Sequence, residues 1–226
     1  NIDKQQRLSV QVDWKTAPPG MHKIPVTIRT TAGGPMVVFA VIKNDESPQR
    51  SHFRGFIQTN GFVSMEGSHY SRAVNIAPLI WQLIPDIGRT GSGMTIRPVT
   101  ANRQTPGSSC PRLEFDILLS DTGKIQVDTY FSPTLNFNGR ELQYAISFDD
   151  DTPQIINLHA DHSNQSWEKW VADNIIISPS GFQIKKSGMH VLKFWMVDPG
   201  IVLQKIVLSF QRVNPSYLGP PETGVR

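Results

Sequence analysis

The sequence predicts an all-β sandwich preceded by a small antiparallel β segment. Three observations lead to this expectation. Apolar and polar residues alternate over many short stretches, turns rich in proline and glycine separate those stretches, and no long segment follows a helical period. With 226 residues, of which 38% are hydrophobic, the chain can form one large β domain with a small companion.

The first 48 residues are predicted to form the small β segment, which we expect to be Ig-like. The polar stretch 44–50 contains a proline and is the expected hinge. We therefore place the small segment at residues 1–48 and the sandwich at residues 49–226. Three strands are predicted in the small segment: one around Val10, one over residues 24–28 and one over residues 36–42.

Alternation with a period of two predicts the main strands of the second unit. The turn Asp121–Gly123 is expected to join the first two as a hairpin. The stretch 191–197 is apolar on both faces, which predicts a central strand. The predicted strands cover residues 113–119, 125–131, 142–148, 191–197 and 202–210.

Two short helices are predicted between the strands. Apolar residues within 75–84 follow a helical spacing that ends before Pro85, and Trp81 falls on the apolar side. Trp167 and Trp170 lie three residues apart after Ser166, a residue type that caps helix N-termini.

Composition excludes several classes of function. The net charge is only +3, from 22 basic and 19 acidic residues that form no basic run, so we expect no nucleic-acid partner. No apolar stretch of about 18 residues occurs, so no membrane helix is predicted. The single cysteine, Cys110, excludes an internal disulfide and a zinc site built from cysteines. Because the sequence starts at Asn1 without a signal peptide, we expect a fragment or a processed chain.

No motif predicts catalysis. The sequence lacks a G-x-S-x-G elbow and a glycine-rich phosphate loop. The cluster His159–His162 offers two or three convergent ligands where zinc needs about four, so we interpret it as a solvated loop. The acidic triplet Asp149–Asp151 suits a turn, with a calcium loop as the alternative. Paired carboxylates of a glycosidase remain open, although Asp116 and Asp128 occupy outward strand positions.

Several strings of residues resemble one family. They are YFSPTLNF at 130–137, YAISFDD at 144–150, WMVDPGIVLQKIV at 195–207 and PSYLGPPE at 215–222. Together they resemble the C-terminal β-sandwich of glycoside hydrolase family 115, the xylan α-1,2-glucuronidases. The opening segment Val10–Trp14 resembles the β segment that precedes this sandwich in the same family.

The resemblance implies a galactose-binding-like, jelly-roll sandwich similar to carbohydrate-binding modules. In that family the active site lies on a separate barrel domain, so this chain is not expected to be an enzyme. The implied partners are plant cell-wall xylan (glucuronoxylan or arabinoxylan, with glucuronic acid branches), the parent catalytic domain and a second copy of the chain. The implied location is secreted or periplasmic. The main alternative is a structural dimerisation module without a sugar site. The third hypothesis is an independent enzyme.

The expected carbohydrate contacts lie on loops at one edge of the sandwich. An arginine there can bind the carboxylate of a glucuronate branch through two hydrogen bonds. The candidate residues are His69, Tyr70, Arg72, Arg89, Asn136, Asn138 and Trp167.

Related sandwiches often hold a structural calcium ion, which raises the question of a cofactor. Glu66 fits the first ligand position of those sites. Gln204 stands where an aspartate is expected, beside Lys205, and this lowers the negative charge that calcium prefers. We therefore predict no cofactor, with Glu66 and Asp198 as the candidate ligands if calcium binds.

Overall fold

The computed structural model describes residues 10, 12–13, 16–18, 20–29, 34–44, 53–137, 139–161 and 163–225. The chain divides into two units, Asn1–Phe53 and Arg54–Arg226. The predicted domain boundary after residue 48 falls outside the described residues, so it stays a prediction.

The first unit contains an antiparallel hairpin of β1 (Gly20–Ile28) and β2 (Met36–Asn44). Two of its three predicted strands are therefore confirmed. Val10, from the third, lies outside any strand, and much of the rest of that predicted strand is outside the described residues. The hairpin carries exposed apolar side chains on β2, where Met36, Val37, Phe39 and Val41 are each more than half exposed.

The second unit consists mainly of short strands separated by turns, as predicted. A short 3-10 turn covers Gly67–His69, and one helix, α1, covers Asn164–Asp173. The strands are β3 (Gly55–Ile57), β4 (Phe62–Glu66), β5 (Arg72–Val74), β6 (Ile80–Ile84), β7 (Gly93–Arg97), β8 (Arg112–Leu119), β9 (Gly123–Phe131), β10 (Gln143–Phe148), β11 (Gln154–Asn157), β12 (Ile176–Ile184), β13 (Gly188–Met196), β14 (Leu203–Ser209) and β15 (Gly224–Val225).

These strands form two sheets, which confirms the predicted all-β sandwich. One sheet has the order β11–β10–β13–β8–β3–β15, with β5 also beside β8. The other has the order β12–β9–β14–β7–β6, with β4 also beside β14. The predicted central strand is confirmed as well, because β13 pairs with both β10 and β8.

The core lies between the sheets and is rich in aromatic rings. Tyr144 packs against Phe131 and Phe194, with ring centroids 4.8 Å and 5.6 Å away. All three side chains are buried. No helix of the described residues is long and apolar enough to cross a membrane.

The predicted hairpin at Asp121–Gly123 is wrong, because β8 and β9 belong to different sheets. The connection crosses from one sheet to the other, and Gln58 holds it in place. Gln58 Oε1 accepts hydrogen bonds from the backbone N–H groups of Ser120 and Asp121, and Gln58 Nε2 donates to Asp121 Oδ2 at 2.6 Å. Strands that face each other across a core show the same alternation as strands that pair, so the sequence pattern cannot separate the two cases.

The helix predicted over 75–84 is also wrong. Ile76 and Leu79 exchange backbone hydrogen bonds of 3.1 and 2.7 Å, which turns the chain back on itself. β6 then pairs with β7 along its whole length. The ladder with β7 satisfies backbone groups that the proline-flanked stretch could not satisfy as a short helix, so tertiary pairing overrides the local spacing.

The second predicted helix is confirmed as α1, with an earlier start. Ser163, not Ser166, is its N-cap, and the Ser163 hydroxyl accepts a hydrogen bond from Ser166 N at 3.2 Å. Asn174 ends the helix in a left-handed conformation with φ of 52°.

Candidate functional site

A small cavity, with room for about one water molecule, opens where β13 ends and β10 begins. Trp81, Tyr144 and Phe194 give it an aromatic wall, and the turn 198–201 lines it too. Trp81 packs on Phe194, with ring centroids 6.0 Å apart. The indole Nε1 of Trp81 is buried and has no hydrogen-bond acceptor among the described residues. The wall thus combines apolar faces with a buried donor.

An exposed aromatic ring lies beside this cavity. The cavity loop, residues 132–142, carries Phe137, whose side chain is more than half exposed. The ring lies against Gly200, where a Cβ atom would come within 2.4 Å of Phe137 Cε1. Gly200 also has φ of +91°, so this position favours glycine for two reasons. Leu135 of the same loop is exposed as well.

A buried carboxylate organises the loops around the cavity. Asp198 is 2% exposed and accepts hydrogen bonds from Arg103 Nε at 2.9 Å and Arg103 Nη2 at 2.7 Å. It also accepts one from the backbone N–H of Gln143 at 2.8 Å. The hydrogen bond to Asp198 raises the pKa of Arg103 above its ordinary value. Arg140 Nη2 lies 3.7 Å from Asp198 Oδ1, and this side chain is half exposed, so part of its guanidinium faces solvent.

The first group of predicted contact residues follows β4. His69 ends the 3-10 turn, and its Nδ1 lies 2.8 Å from Glu222 Oε1. Tyr70 is half-buried and packs against the core. Arg72 donates to the carboxylate of Glu114 through Nε at 2.8 Å and also through Nη2.

Glu114 gives Arg72 a structural partner. The Glu114 side chain is buried and also accepts a hydrogen bond from Arg112 Nε at 2.5 Å. Burial raises the pKa of this carboxyl, but the hydrogen bonds and charges of Arg72 and Arg112 together outweigh burial, so the net pKa is lowered. The Arg72 guanidinium therefore compensates a buried negative charge.

Arg89 is likewise engaged by the protein. Its Nε donates to the carbonyl of Asp173 at 2.9 Å and its Nη1 to the carbonyl of Tyr217 at 2.7 Å. The guanidinium also lies 4.2 Å from the centre of the Tyr217 ring. Asp173 is the last residue of α1, where carbonyl groups favour a cation. Trp167 lies in the same helix and is half-buried.

None of the predicted contact residues that the structure describes lines the cavity. Asn136 lies in the cavity loop, and its Nδ2 donates to the backbone carbonyl of Arg140, which closes the loop. Asn138 lies outside the described residues. His69, Arg72, Arg89 and Trp167 lie elsewhere, among the contacts described above.

The residues around Glu66 do not fit a calcium ion. Glu66 Oε1 lies 3.0 Å from Lys205 Nζ, and Glu66 Oε2 accepts a hydrogen bond from Thr90 at 2.8 Å. The other candidate ligand, Asp198, is held by Arg103. Cations of the protein itself therefore face both carboxylates. Across the described ranges, no group of three or more His, Cys, Asp or Glu side chains could hold a metal ion.

A known protein family matches most of the chain. Residues 55–222 of the 226 match the Glycosyl hydrolase family 115 C-terminal domain. The chain belongs to this family. The resemblance inferred from the sequence motifs is therefore confirmed. No curated protein matches the chain.

Three solved structures are similar to this family 115 domain. BtGH115A, a family GH115 4-O-methyl-α-glucuronidase with specificity for decorated arabinogalactans, shares 20% identity over 64% of this chain, with a TM-score of 0.48. This chain spans only 18% of that enzyme. The C-terminal CBM6 of LamC, a laminarinase from Zobellia galactanivorans, shares 8% identity over 66% of this chain and 98% of its own, with a TM-score of 0.45. A family 35 carbohydrate-binding module from Clostridium thermocellum shares 13% sequence identity with this chain. The match covers 65% of this chain and 97% of that module, with a TM-score of 0.45. At these scores the likeness carries no argument about function.

The described residues of the histidine cluster and the acidic triplet make contacts within the protein. His159 is buried and stacks on Trp170, with ring centroids 5.5 Å apart, so the expected solvated loop is wrong for this residue. Its neighbour Asp161 accepts hydrogen bonds from Ser163 and Ser166 at the start of α1, and His162 lies outside the described residues. Each carboxylate of the acidic triplet contacts a basic side chain: Asp149 lies 2.7 Å from the His190 ring, Asp150 pairs with Lys193 and Asp151 with Lys185.

Sequence reasoning missed Phe137, which lies against Gly200, and the arginines Arg103 and Arg140, which lie beside Asp198. Leu135 and Phe137 are large apolar residues that alternate with the polar residues Thr134, Asn136 and Asn138, and this is the signal that could have found the exposed ring. The two arginines carry no such signal, because only the folded chain brings them to Asp198.

Proposed function

We propose that this chain is a non-catalytic carbohydrate-binding module and that the surface beside the cavity at the end of β13 is its sugar site. The observation that carries the proposal is the exposed Phe137 ring lying against Gly200, a residue that lines an aromatic-walled cavity. Exposed aromatic faces bind the apolar faces of sugar rings, and pockets of this kind combine apolar walls with a few polar groups. Family membership supports the proposal, because a C-terminal domain of a glycosyl hydrolase serves an enzyme that acts on carbohydrate.

The proposed ligand is xylan carrying glucuronic acid branches, with arabinoxylan as a related ligand. Arg140 supports an acidic ligand, since its half-exposed guanidinium has donors left for a carboxylate. The cavity has room for about one water molecule, so it cannot enclose a sugar ring. We therefore propose that the polysaccharide lies on the surface beside the cavity, across Phe137, with a glucuronate branch directed at Arg140.

Bond cleavage is not part of the proposal. A glycosidase needs two carboxyl groups that flank one bond. Asp198 is the one carboxylate among the described residues that line the cavity, and Arg103 holds it in a two-point ion pair. We propose that the parent protein is a xylan α-1,2-glucuronidase whose catalytic domain is the partner of this module, and that it acts outside the cell or in the periplasm.

Affinity electrophoresis in gels that contain glucuronoxylan tests the proposal. We expect the chain to be retarded, and we expect Phe137→Ala and Arg140→Ala each to weaken binding at least tenfold, about 1.4 kcal/mol. Met189→Ala and Lys185→Ala are matched controls, because both residues are exposed and neither lines the cavity. Equal migration in gels with and without polysaccharide would exclude the sugar site.

The contact residues predicted from sequence define a second proposed surface. Arg72→Ala and Trp167→Ala test it in the same gels. Loss of binding in these variants, together with unchanged binding in Phe137→Ala, would place the site beside β5 and α1 and not at the cavity.

A structural role in subunit pairing is the second candidate function. It is favoured by the apolar β2 strand, on which Met36, Val37, Phe39 and Val41 are more than half exposed. Sedimentation at increasing concentration tests this role. A dimer near twice 25.3 kDa that Phe39→Asp converts to a monomer supports it, and a monomer at every concentration contradicts it.

A further inference from the structure

A lysine is buried on the side of β14 that faces away from the core. Lys205 is 2% exposed, and its Nζ is surrounded by oxygen atoms. Glu66 Oε1 lies 3.0 Å away, and the carbonyl oxygens of Leu218 and Pro220 lie 3.2 Å away. A lysine ammonium group has three N–H donors. The three oxygen acceptors therefore equal the three N–H donors of Lys205 in number.

A β-bulge brings the lysine to this place. The pairing of β14 with β9 shifts between Leu203 and Lys205. Leu203 and Ile206 both pack into the core, although they are an odd number of residues apart. The extra residue in the bulge therefore turns Lys205 outward while β14 keeps its apolar side inward.

The ammonium group holds the C-terminal strap, which we define as residues 216–223. Ser64 adds to the attachment, because its hydroxyl donates to the Pro220 carbonyl at 3.0 Å and its carbonyl accepts from Thr223 N at 3.0 Å. Directly after the strap, β15 pairs with β3 in the opposite sheet. The strap thus runs from the sheet of β14 to the sheet of β3, and Lys205 lies under it.

We propose that the ammonium group of Lys205 is the structural cation of this domain, and that it takes the place a divalent metal would hold between Glu66 and the strap. One carboxylate and two carbonyl oxygens are the ligand types that calcium uses. Here they surround a cation that is covalently part of β14, and a second cation at this distance would be repelled. The domain therefore closes its strap without metal.

Thermal unfolding tests the metal half of this proposal with the wild-type chain. We expect the same Tm in millimolar calcium chloride and in excess chelator, because no site responds to the ion. Calorimetric titration with calcium chloride should give no heat of binding. A Tm that falls in chelator, or a measurable calcium affinity, would overturn the proposal.

Variants test the role of the ammonium group. Lys205→Met leaves Glu66 as an unpaired buried carboxylate, and we expect Tm to fall by about 6–20 °C. Well below Tm, trypsin should cleave after the exposed Arg212 at least tenfold faster than in wild type, because the strap that follows is released. Lys124→Met, an exposed lysine on β9, is the control and should change neither measurement. A Lys205→Met chain with wild-type Tm and cleavage would refute the role.

Glu66→Gln keeps the test decisive if Lys205→Met does not fold. This change removes the charge opposite Lys205 while it keeps the side-chain shape. We expect a lower Tm and faster cleavage after Arg212. Wild-type values of both would contradict the proposal.

Discussion

Replacement of Asp198 by alanine is the most informative single change, because one buried carboxylate ties together the loops around the cavity. The side chain has no exposed surface and accepts hydrogen bonds from Arg103 Nε, Arg103 Nη2 and the backbone N–H of Gln143. Arg103 Nη2 also donates to the carbonyl of Glu141 at 2.6 Å. Asp198→Ala therefore removes three hydrogen bonds and the negative charge that is paired with Arg103.

The expected cost follows from the burial of each partner. Breaking a buried ion pair costs about 3–5 kcal/mol, and leaving a buried backbone N–H without an acceptor accounts for about 1–3 kcal/mol of such a loss. Arg103 is about one third exposed and can regain water, so the lower end applies. We expect a loss of about 3 kcal/mol in the free energy of unfolding and a Tm lower by about 6–12 °C. Asp198→Asn keeps an acceptor for Gln143 and should cost about half as much.

Urea unfolding monitored by tryptophan fluorescence measures this loss. Asp150→Ala is the matched control, because Asp150 is fully exposed and pairs with Lys193 at 3.2 Å. Its unfolding midpoint should stay close to that of the wild type, because exposed ion pairs contribute little to stability. If Asp198→Ala unfolds at the wild-type urea concentration, the carboxylate does not hold the loops and the reasoning fails. Binding to glucuronoxylan should fall together with stability, because the same contacts position the cavity loop.

Three further predictions concern other residues. Gly200→Ala should cost about 1–3 kcal/mol in urea unfolding and weaken sugar binding, since its Cβ would collide with Phe137 at a positive φ; wild-type values for both would contradict this. The lowered pKa of Glu114 stabilises the fold above its unfolded pKa of about 4.3, and this stability is lost as pH falls through the folded pKa. Glu114→Gln should therefore be less stable at pH 7 and flatten the acid side of a Tm-against-pH curve, and an unchanged curve would refute the pairing. Burial raises the pKa of Cys110 to about 11, so thiol reagents at pH 8 should label it only in denaturant, and rapid labelling of the native chain would show that it is accessible.

Local patterns predicted much of the fold. The strands β1, β2, β8, β9, β10, β13 and β14 follow from alternation and turn residues, because one face of each strand must be apolar to meet the core. The helix α1 follows from tryptophan spacing and a serine cap. Where several partners compete for the same backbone groups, the pattern fails, and this is why the stretch 75–84 forms β6 and not a helix.

The candidate site was less accessible to sequence reasoning. Asn136 was predicted as a contact because it lies in a loop at the edge of the sandwich, and its role in sugar binding stays a prediction. Arg72 and Arg89 were predicted to lie in loops, yet Arg72 begins β5, and their partners, Glu114 and the carbonyl of Tyr217, lie 42 and 128 residues away along the chain. Whether an arginine faces a ligand or a buried acceptor is decided by such distant contacts.

The sequence by itself determined the class of fold and the family, because alternation and motifs are properties of neighbouring residues. The tertiary structure alone decided which charges meet. Glu66 and Lys205 are 139 positions apart, and only the pairing of β4 with β14 places them opposite each other. Side chains that face each other across two strands can be far apart along the chain, so no local reading of either strand identifies a cation site that the protein fills with its own lysine.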